Sequence, residues 1–214
     1  MYQRQLEGII EQIRHDNLRP SLLIHACCAP CSSYVLEYLI PYFSITVYYY
    51  NPNIAPDKEF EFRLAEEKRL IEELPGAQEI RVVAPPYDHR EFLCEVSGLE
   101  SEPEGGKRCA VCFRQRLESA AAYAAENGYD YYTTTLTISP LKNAHLLNEI
   151  GNELGEKYHV RFLPSDFKKR DGFKRSIDLS KQYSLYRQNY CGCEFSKAEC
   201  EAKKNTYSAS ERKI

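Results

Sequence analysis

The chain has 214 residues, 43% of them hydrophobic and 28% charged, with a net charge of −3 and nine cysteines. That length suits one sizeable core, so a single domain spanning residues 1–214 is expected. No apolar run approaches the roughly 18 to 20 residues of a membrane span. The opening MYQRQLEGIIEQIRHDNLRP mixes charge into its apolar positions where a secretory signal would be continuously apolar, which predicts a cytoplasmic protein. Thiols stay reduced in that compartment, so nine cysteines favour metal or redox chemistry over structural disulfides.

Helical periodicity over residues 3–15 leads to a strand at 22–26 and to a helix from near Cys31, with Val35, Leu36 and Leu39 on one face. Residues 45–50, rich in β-branched and aromatic side chains, predict a second strand that ends at Asn51-Pro52-Asn53. An amphipathic helix follows over 57–74, stopped by Pro75-Gly76, and a third strand over 80–83 closes at Pro85-Pro86. A short helical piece at 89–94 and the polar loop SGLESEPEGGKR precede an alanine-rich helix from about 109 to 127, ended by Gly128. Residues 130–135 give a fourth strand, 141–158 a helix and 160–163 a fifth strand. Strands and helices alternating in this way predict an α/β fold, a mainly parallel sheet with helices on both faces.

Seven cysteines fall in three tight groups: Cys27, Cys28 and Cys31 in HACCAPC, Cys109 and Cys112 in RCAVC, Cys191 and Cys193 in YCGC. In open parallel sheets ligands bind beyond the carboxyl ends of the strands, and the first two groups lie where a strand ends or a helix begins. Helix amino termini lower thiol pKa values and favour metal-binding thiolates. Cys28-x2-Cys31 with Cys109-x2-Cys112 is by itself a zinc pattern, and buried thiols acting as small apolar residues are the structural alternative. Cys27 and the Cys191-Gly192-Cys193 pair exceed what zinc needs and suit four iron–sulfur ligands plus a second thiol-rich centre. Cys94 and Cys200 stand alone and read as small apolar residues.

Other groups carry weaker signals. Glu102, Glu104, Gly105 and Gly106 precede RCAVC as a ligand-approaching or a merely flexible loop. Thr133, Thr134 and Thr135 line a strand end or cap the next element, and His25 is either a site residue or a hydrogen-bonded core histidine. Lys168, Lys169, Arg170, Lys174, Arg175, Lys181 and Arg187 against Asp171 and Asp178 give a local balance of +5, leaving −8 elsewhere. Such a stretch suits a polyanion or a solvated helix face. Tyr183, Tyr186 and Tyr190 beside it could stack on bases or pack in the core.

HACCAPCSS, GLESEPEGGKRCAVCFRQRL, TTTLTISPLKN, DFKKRDG and YRQNYCGCEFS, in this order across residues 25–196, resemble the QueH-type epoxyqueuosine reductases. The resemblance implies a Rossmann-like sheet related to the adenine-nucleotide hydrolase and PP-loop group, although HACCAPC replaces the SGGxDS phosphate loop and ATP use is not expected. It implies a cobalamin-independent reduction of epoxyqueuosine to queuosine at the wobble position of tRNA, with ferredoxin or flavodoxin as electron donor. Carried over, the 4Fe-4S ligands are Cys27, Cys28, Cys109 and Cys112. Cys191 and Cys193 become either a redox-active pair able to form a disulfide bond or, with Cys31, ligands of an adjacent mononuclear iron. The segment from about 167 onward is expected to complete the site. The rival readings are a zinc-binding tRNA-recognition domain and a PP-loop-like tRNA sulfur-transfer enzyme.

Overall fold

Leu22, Leu23 and Ile24 are without solvent exposure, as a strand covered on both faces requires, and they form the middle of a five-stranded sheet. The computed structural model describes residues 1–211. Its strands are β1 (Ser21–His25), β2 (Ser44–Tyr48), β3 (Arg81–Val83), β4 (Tyr131–Thr134) and β5 (Arg161–Phe162). All pair in parallel, in the order β3-β2-β1-β4-β5.

The period-2 alternation of β1 divides the core. Leu22 and Ile24 pack with α1 (Tyr2–His15), α2 (Ala29–Leu39) and α3 (Asp57–Glu73), through Leu6, Ile10, Val35, Leu39, Phe60 and Ile71. Leu23 faces the opposite layer, built from Leu117, Ala120 and Ala121 of α5 (Lys107–Glu126) and Leu147, Ile150 and Leu154 of α6 (Ala144–Tyr158). The short α4 (His89–Glu95) precedes α5. The α/β sheet with helices on both faces is therefore present, and it is wholly parallel.

The strand order reverses between β1 and β4, which makes their carboxyl ends the topological switch point. Element limits depart from the sequence reading where caps decide them. Gly106 caps α5, which begins at Lys107, two residues before the expected start. The helix expected over 141–158 starts later, at Ala144, because Asn143 caps it by accepting from the Leu146 amide at 3.1 Å, and a 3-10 turn at Thr135–Ile138, capped by Thr134, precedes it. Two helices lack a counterpart in the sequence reading, α7 (Gly172–Gln182) and α8 (Glu194–Glu211). Among the described residues, no helix is long and apolar enough to cross a membrane.

α7 lies against α2, the helix that HACCAPC opens. Gly172 starts α7, and a methyl group there would overlap the Phe167 carbonyl oxygen and the Tyr34 ring. Backbone cannot yield as a side chain can, so Gly172→Ala should destabilise the chain by about 1–3 kcal/mol. Urea unfolding measures this; an unchanged midpoint would mean that α7 docks more loosely than described.

Candidate active site

β1 delivers the first cysteine group. His25 is fully buried, with Nδ1 3.0 Å from Thr134 Oγ1 and Nε2 3.1 Å from the Tyr50 carbonyl oxygen. Burial, reinforced by Arg116, pushes its pKa down to about 4, so the imidazole is neutral at pH 7 and serves as a core tie. Cys28, in extended conformation, then caps α2, whose first turn contains Pro30. Cys27 Sγ is 3.7 Å from Cys28 Sγ, Cys28 Sγ is 3.1 Å from Cys31 Sγ, and all three sulfurs lie within 4.8 Å of one another.

These separations are too long for S–S bonds, and all nine cysteines are free thiols. Hydrogen bonds from the Cys28 and Cys31 thiols hold Cys27 well below the usual thiol range against the cost of burial, with Lys142 and Arg116 adding positive charge. The same contacts push Cys28 up to about 12 and raise Cys31 strongly. Of the three thiols, Cys27 is the one whose ionised form these contacts favour.

The second group rests on a loop that is built, not slack. Arg108, buried, donates to the carbonyls of Leu99, Glu100 and Glu102, pairs with Glu199 at 3.1 Å and lies over the Phe195 ring, tying SEPEGG to α8. Glu102 Oε2 accepts from the Lys107 amide at 3.0 Å, and a side chain at Gly106 would come within 2.6 Å of that oxygen. The Gly105 amide donates to Cys109 Sγ at 3.2 Å. One turn on, Cys112 packs with Phe92, Val96 and Cys193, and burial pushes its thiol up to about 12.

The third group is held by α3. Arg63 Nη1 donates to the Cys191 carbonyl at 3.2 Å, and the Ala55 amide donates to the Gly192 carbonyl at 3.0 Å. Cys193 Sγ accepts from the Ser196 amide at 3.4 Å. Cys191 joins Cys27, Cys28 and Cys31 in lining a cavity of about 220 Å³, whose wall also includes Lys142, Phe173, Arg187 and Tyr190. Cys109, Cys112 and Cys193 do not line it. Cys109 and Cys112 lie in the first turns of α5, and Arg116, one turn beyond Cys112 on the same helix, is itself on the cavity wall.

The remaining predicted groups separate clearly. Thr135 Oγ1 is 3.8 Å from Cys27 Sγ, whereas Thr133 bonds the Leu163 carbonyl and Thr134 caps the 3-10 turn. Tyr190 reaches the cavity, Tyr186 packs edge-on to Phe62, and Tyr183 packs against the core. Cys94 is exposed and Cys200 half-buried, so neither behaves as the buried apolar residue expected of it.

Sequence reasoning missed Arg116, Lys142, Arg63 and Glu67. Arg63 and Glu67 sit in the buried stripe of α3 with Phe60, Leu70 and Ile71, at helical spacing that an all-apolar template overlooks. Arg116 follows Cys112 by four residues, on the same face of α5.

Reduced thiols gathered at the switch point of a parallel sheet, with buried cations beside them, define a thiol-rich α/β protein equipped for metal or redox chemistry. The sequence profile described as "Epoxyqueuosine reductase QueH" matches residues 22–199. Proteins of that name are similar over most of the chain. The one from Staphylococcus epidermidis is 43% identical over 199 residues, covering 91% of this chain and 83% of that protein. The one from Streptococcus pyogenes is 41% identical over 91% of this chain and 77% of its own length. The one from Thermotoga maritima is 34% identical over 84% and 91%. The chain belongs to the epoxyqueuosine reductase QueH family.

Glu67 offers a test of the buried electrostatics. It is fully buried, and burial pushes its pKa up to about 8 against a smaller opposing effect of the Ser32 hydroxyl. The folded state then keeps a proton that the unfolded chain releases near pH 4.5, so this group lowers stability as pH rises from about 4.5 to 8. In the metal-free protein, Glu67→Gln should remove a slope of roughly 1 kcal/mol per pH unit across that window. Denaturant titrations at pH 5 and pH 8 with equal gains for the variant would contradict a neutral, buried Glu67.

Proposed function

We propose that this chain reduces epoxyqueuosine to queuosine at the wobble position of tRNA, without cobalamin. The epoxide gives up its oxygen: both C–O bonds break, the carbon–carbon double bond forms, and two electrons and two protons from outside leave with the oxygen as water. A small electron-transfer protein of the ferredoxin or flavodoxin class supplies the electrons. The observation that supports this reading, beside family membership, is a cavity lined by Cys27, Cys28 and Cys31 of the first cysteine segment and Cys191 of the third, with Arg116 on its wall.

The donor set fits an iron–sulfur centre. Seven thiols exceed a tetrahedral zinc shell, and the sulfurs of the first group are already close enough to share metal. Cys27, Cys28, Cys109 and Cys112 are assigned to a 4Fe-4S cluster, and Cys31, Cys191 and Cys193 to an adjacent iron, the last two also able to serve as a redox dithiol. Bound there, such centres supply single electrons and Lewis acidity.

The protein's own groups do the rest. A cavity of about 220 Å³ admits one extruded base but not a stacked helix, so the target nucleotide must leave its stack. Phe173 and Tyr190 offer ring faces on the wall, and Lys142 and Arg187 offer cations to the modified base and its phosphate. Phe173 and the residues from 187 to 191 line the cavity, which supports a role for the segment beyond 167 in completing this site.

Anaerobic reconstitution followed by iron and sulfide analysis and turnover of epoxyqueuosine-containing tRNA tests the reading. Cys109→Ala and Cys112→Ala should bleach absorbance near ~400 nm, whereas Cys191→Ala with Cys193→Ala should keep it and abolish turnover. A colourless zinc protein would instead favour a tRNA-recognition domain, and ATP consumption a sulfur-transfer enzyme.

The basic stretch needs a refined test. Lys168 pairs with Asp166, Arg170 with Glu7 and Arg175 with Glu37, so part of its charge is already matched within the fold. Lys169, Lys174 and Lys181 are exposed, with no ion pair among the described residues. Reversing these three to Glu should weaken tRNA binding and flatten its salt dependence, by about 0.7–0.9 in log–log slope for each phosphate no longer neutralised, with the cluster intact. Unchanged affinity and slope would mean that tRNA approaches from another side.

A further inference from the structure

Among the described residues three arginines are almost completely buried, and two have conventional partners. Arg63 meets Glu59 at 2.7 Å, and Arg108 meets Glu199 along with three carbonyls. Arg116, only 1% exposed, is different. Its Nε donates to the Cys112 carbonyl at 3.1 Å, the Phe113 ring lies 5.7 Å away, and its Nη2 has no hydrogen-bond partner. Among the described residues, no carboxylate pairs with it.

A buried guanidinium without an anion is strongly unfavourable, because the protein interior does not replace its hydration. Such a group persists when something anionic belongs beside it. Arg116 Nε is tied to the Cys112 carbonyl of the second cysteine segment, and Cys27, Cys28 and Cys31 of the first and Cys191 of the third share one cavity wall. Arg116 also lines the cavity, so its free donor lies where the thiolate shell and the substrate space meet. A thiolate-ligated iron centre is anionic, and both nearby positive charge and N–H donation to sulfur raise its reduction potential.

We propose that Arg116 is the built-in counter-charge of the metal–thiolate centre, donating through Nη2 into the sulfur shell, stabilising the loaded state and setting its potential. This rests on the iron–sulfur reading of the three cysteine groups. Arg116 is a positioning and tuning residue: it acts on the centre, and through the centre on the reaction.

The test compares wild type, Arg116→Gln and Arg116→Lys, each metal-free and after anaerobic reconstitution with iron and sulfide. Two quantities are read, the rise in melting temperature on loading and the midpoint potential by spectroelectrochemical titration. In Arg116→Gln the metal-free protein should be at least as stable as wild type, the rise on loading should shrink, and the potential should move downward. Arg116→Lys, which keeps the charge but not the fork of donors, should lie between the two. If Arg116→Gln fails to fold metal-free, or loses the same stability in both states with an unchanged potential, Arg116 is merely structural and the proposal falls. A wild-type chain that takes up no iron and sulfide overturns the metal reading, and this proposal with it. A loaded wild type with an indistinguishable Gln variant overturns this proposal alone.

Discussion

His25 ties the carboxyl ends of three strands through two hydrogen bonds, Nδ1 with Thr134 after the β1–β4 register and Nε2 with the Tyr50 carbonyl just beyond β2. Because its pKa is pushed down to about 4, this tie carries no charge at neutral pH and needs no counter-ion in the core. The cysteine ladder starts two residues later, and Thr135 lies one residue beyond the other anchor. The placement of Cys27 against Thr135 therefore follows from strand register, which slips only at the cost of turning every core side chain to the wrong face.

Charge is the second constraint, since water is largely excluded from the ends of these strands. The fold uses carboxylates selectively: Glu59 and Glu199 neutralise the scaffold arginines, while Glu67, in the buried stripe of α3, is pushed toward its protonated form by burial. Arg116 and Lys142 are left on the wall of the cavity that Cys27, Cys28, Cys31 and Cys191 also line. A charged Glu67 would compete with thiolates for that positive field, so its neutrality and the availability of thiolate at Cys27 are two sides of one balance.

Much of this was legible in the sequence. Leu22 and Ile24 against Leu23, the β-branched run of β2 and the alanine stripe of α5 give periodicities that tertiary packing then uses, and the cysteine spacing singles out Cys27, Cys28 and Cys31, whose sulfurs lie within 4.8 Å of one another. α7 was not legible because its buried face is Gly172, Ser176, Leu179 and Ser180, nearly devoid of the apolar stripe that marks a helix. Arg116 and Glu67 were missed because charged residues in a helix read as solvent-facing by default. The basic stretch was overcounted because Glu7 and Glu37, which neutralise Arg170 and Arg175, lie 163 and 138 residues away.

The third cysteine group explains why the site closes only in the finished fold. Gly192 has φ of +128°, and a side chain there would meet Ile54 at 3.0 Å and Arg63 at 3.1 Å. Glycine is thus required both for the backbone turn and for the close approach. Its carbonyl and that of Cys191 are gripped by Ala55 and Arg63, groups that belong to the β2–α3 connection and α3, far from α7 and α8 in sequence. Cys191 reaches the cavity and Cys193 reaches Cys112 only when this grip is made. Any ligand bridging the three groups therefore stabilises the docking of the C-terminal segment on the sheet, and binding free energy at the thiols is at the same time folding free energy for the last part of the chain.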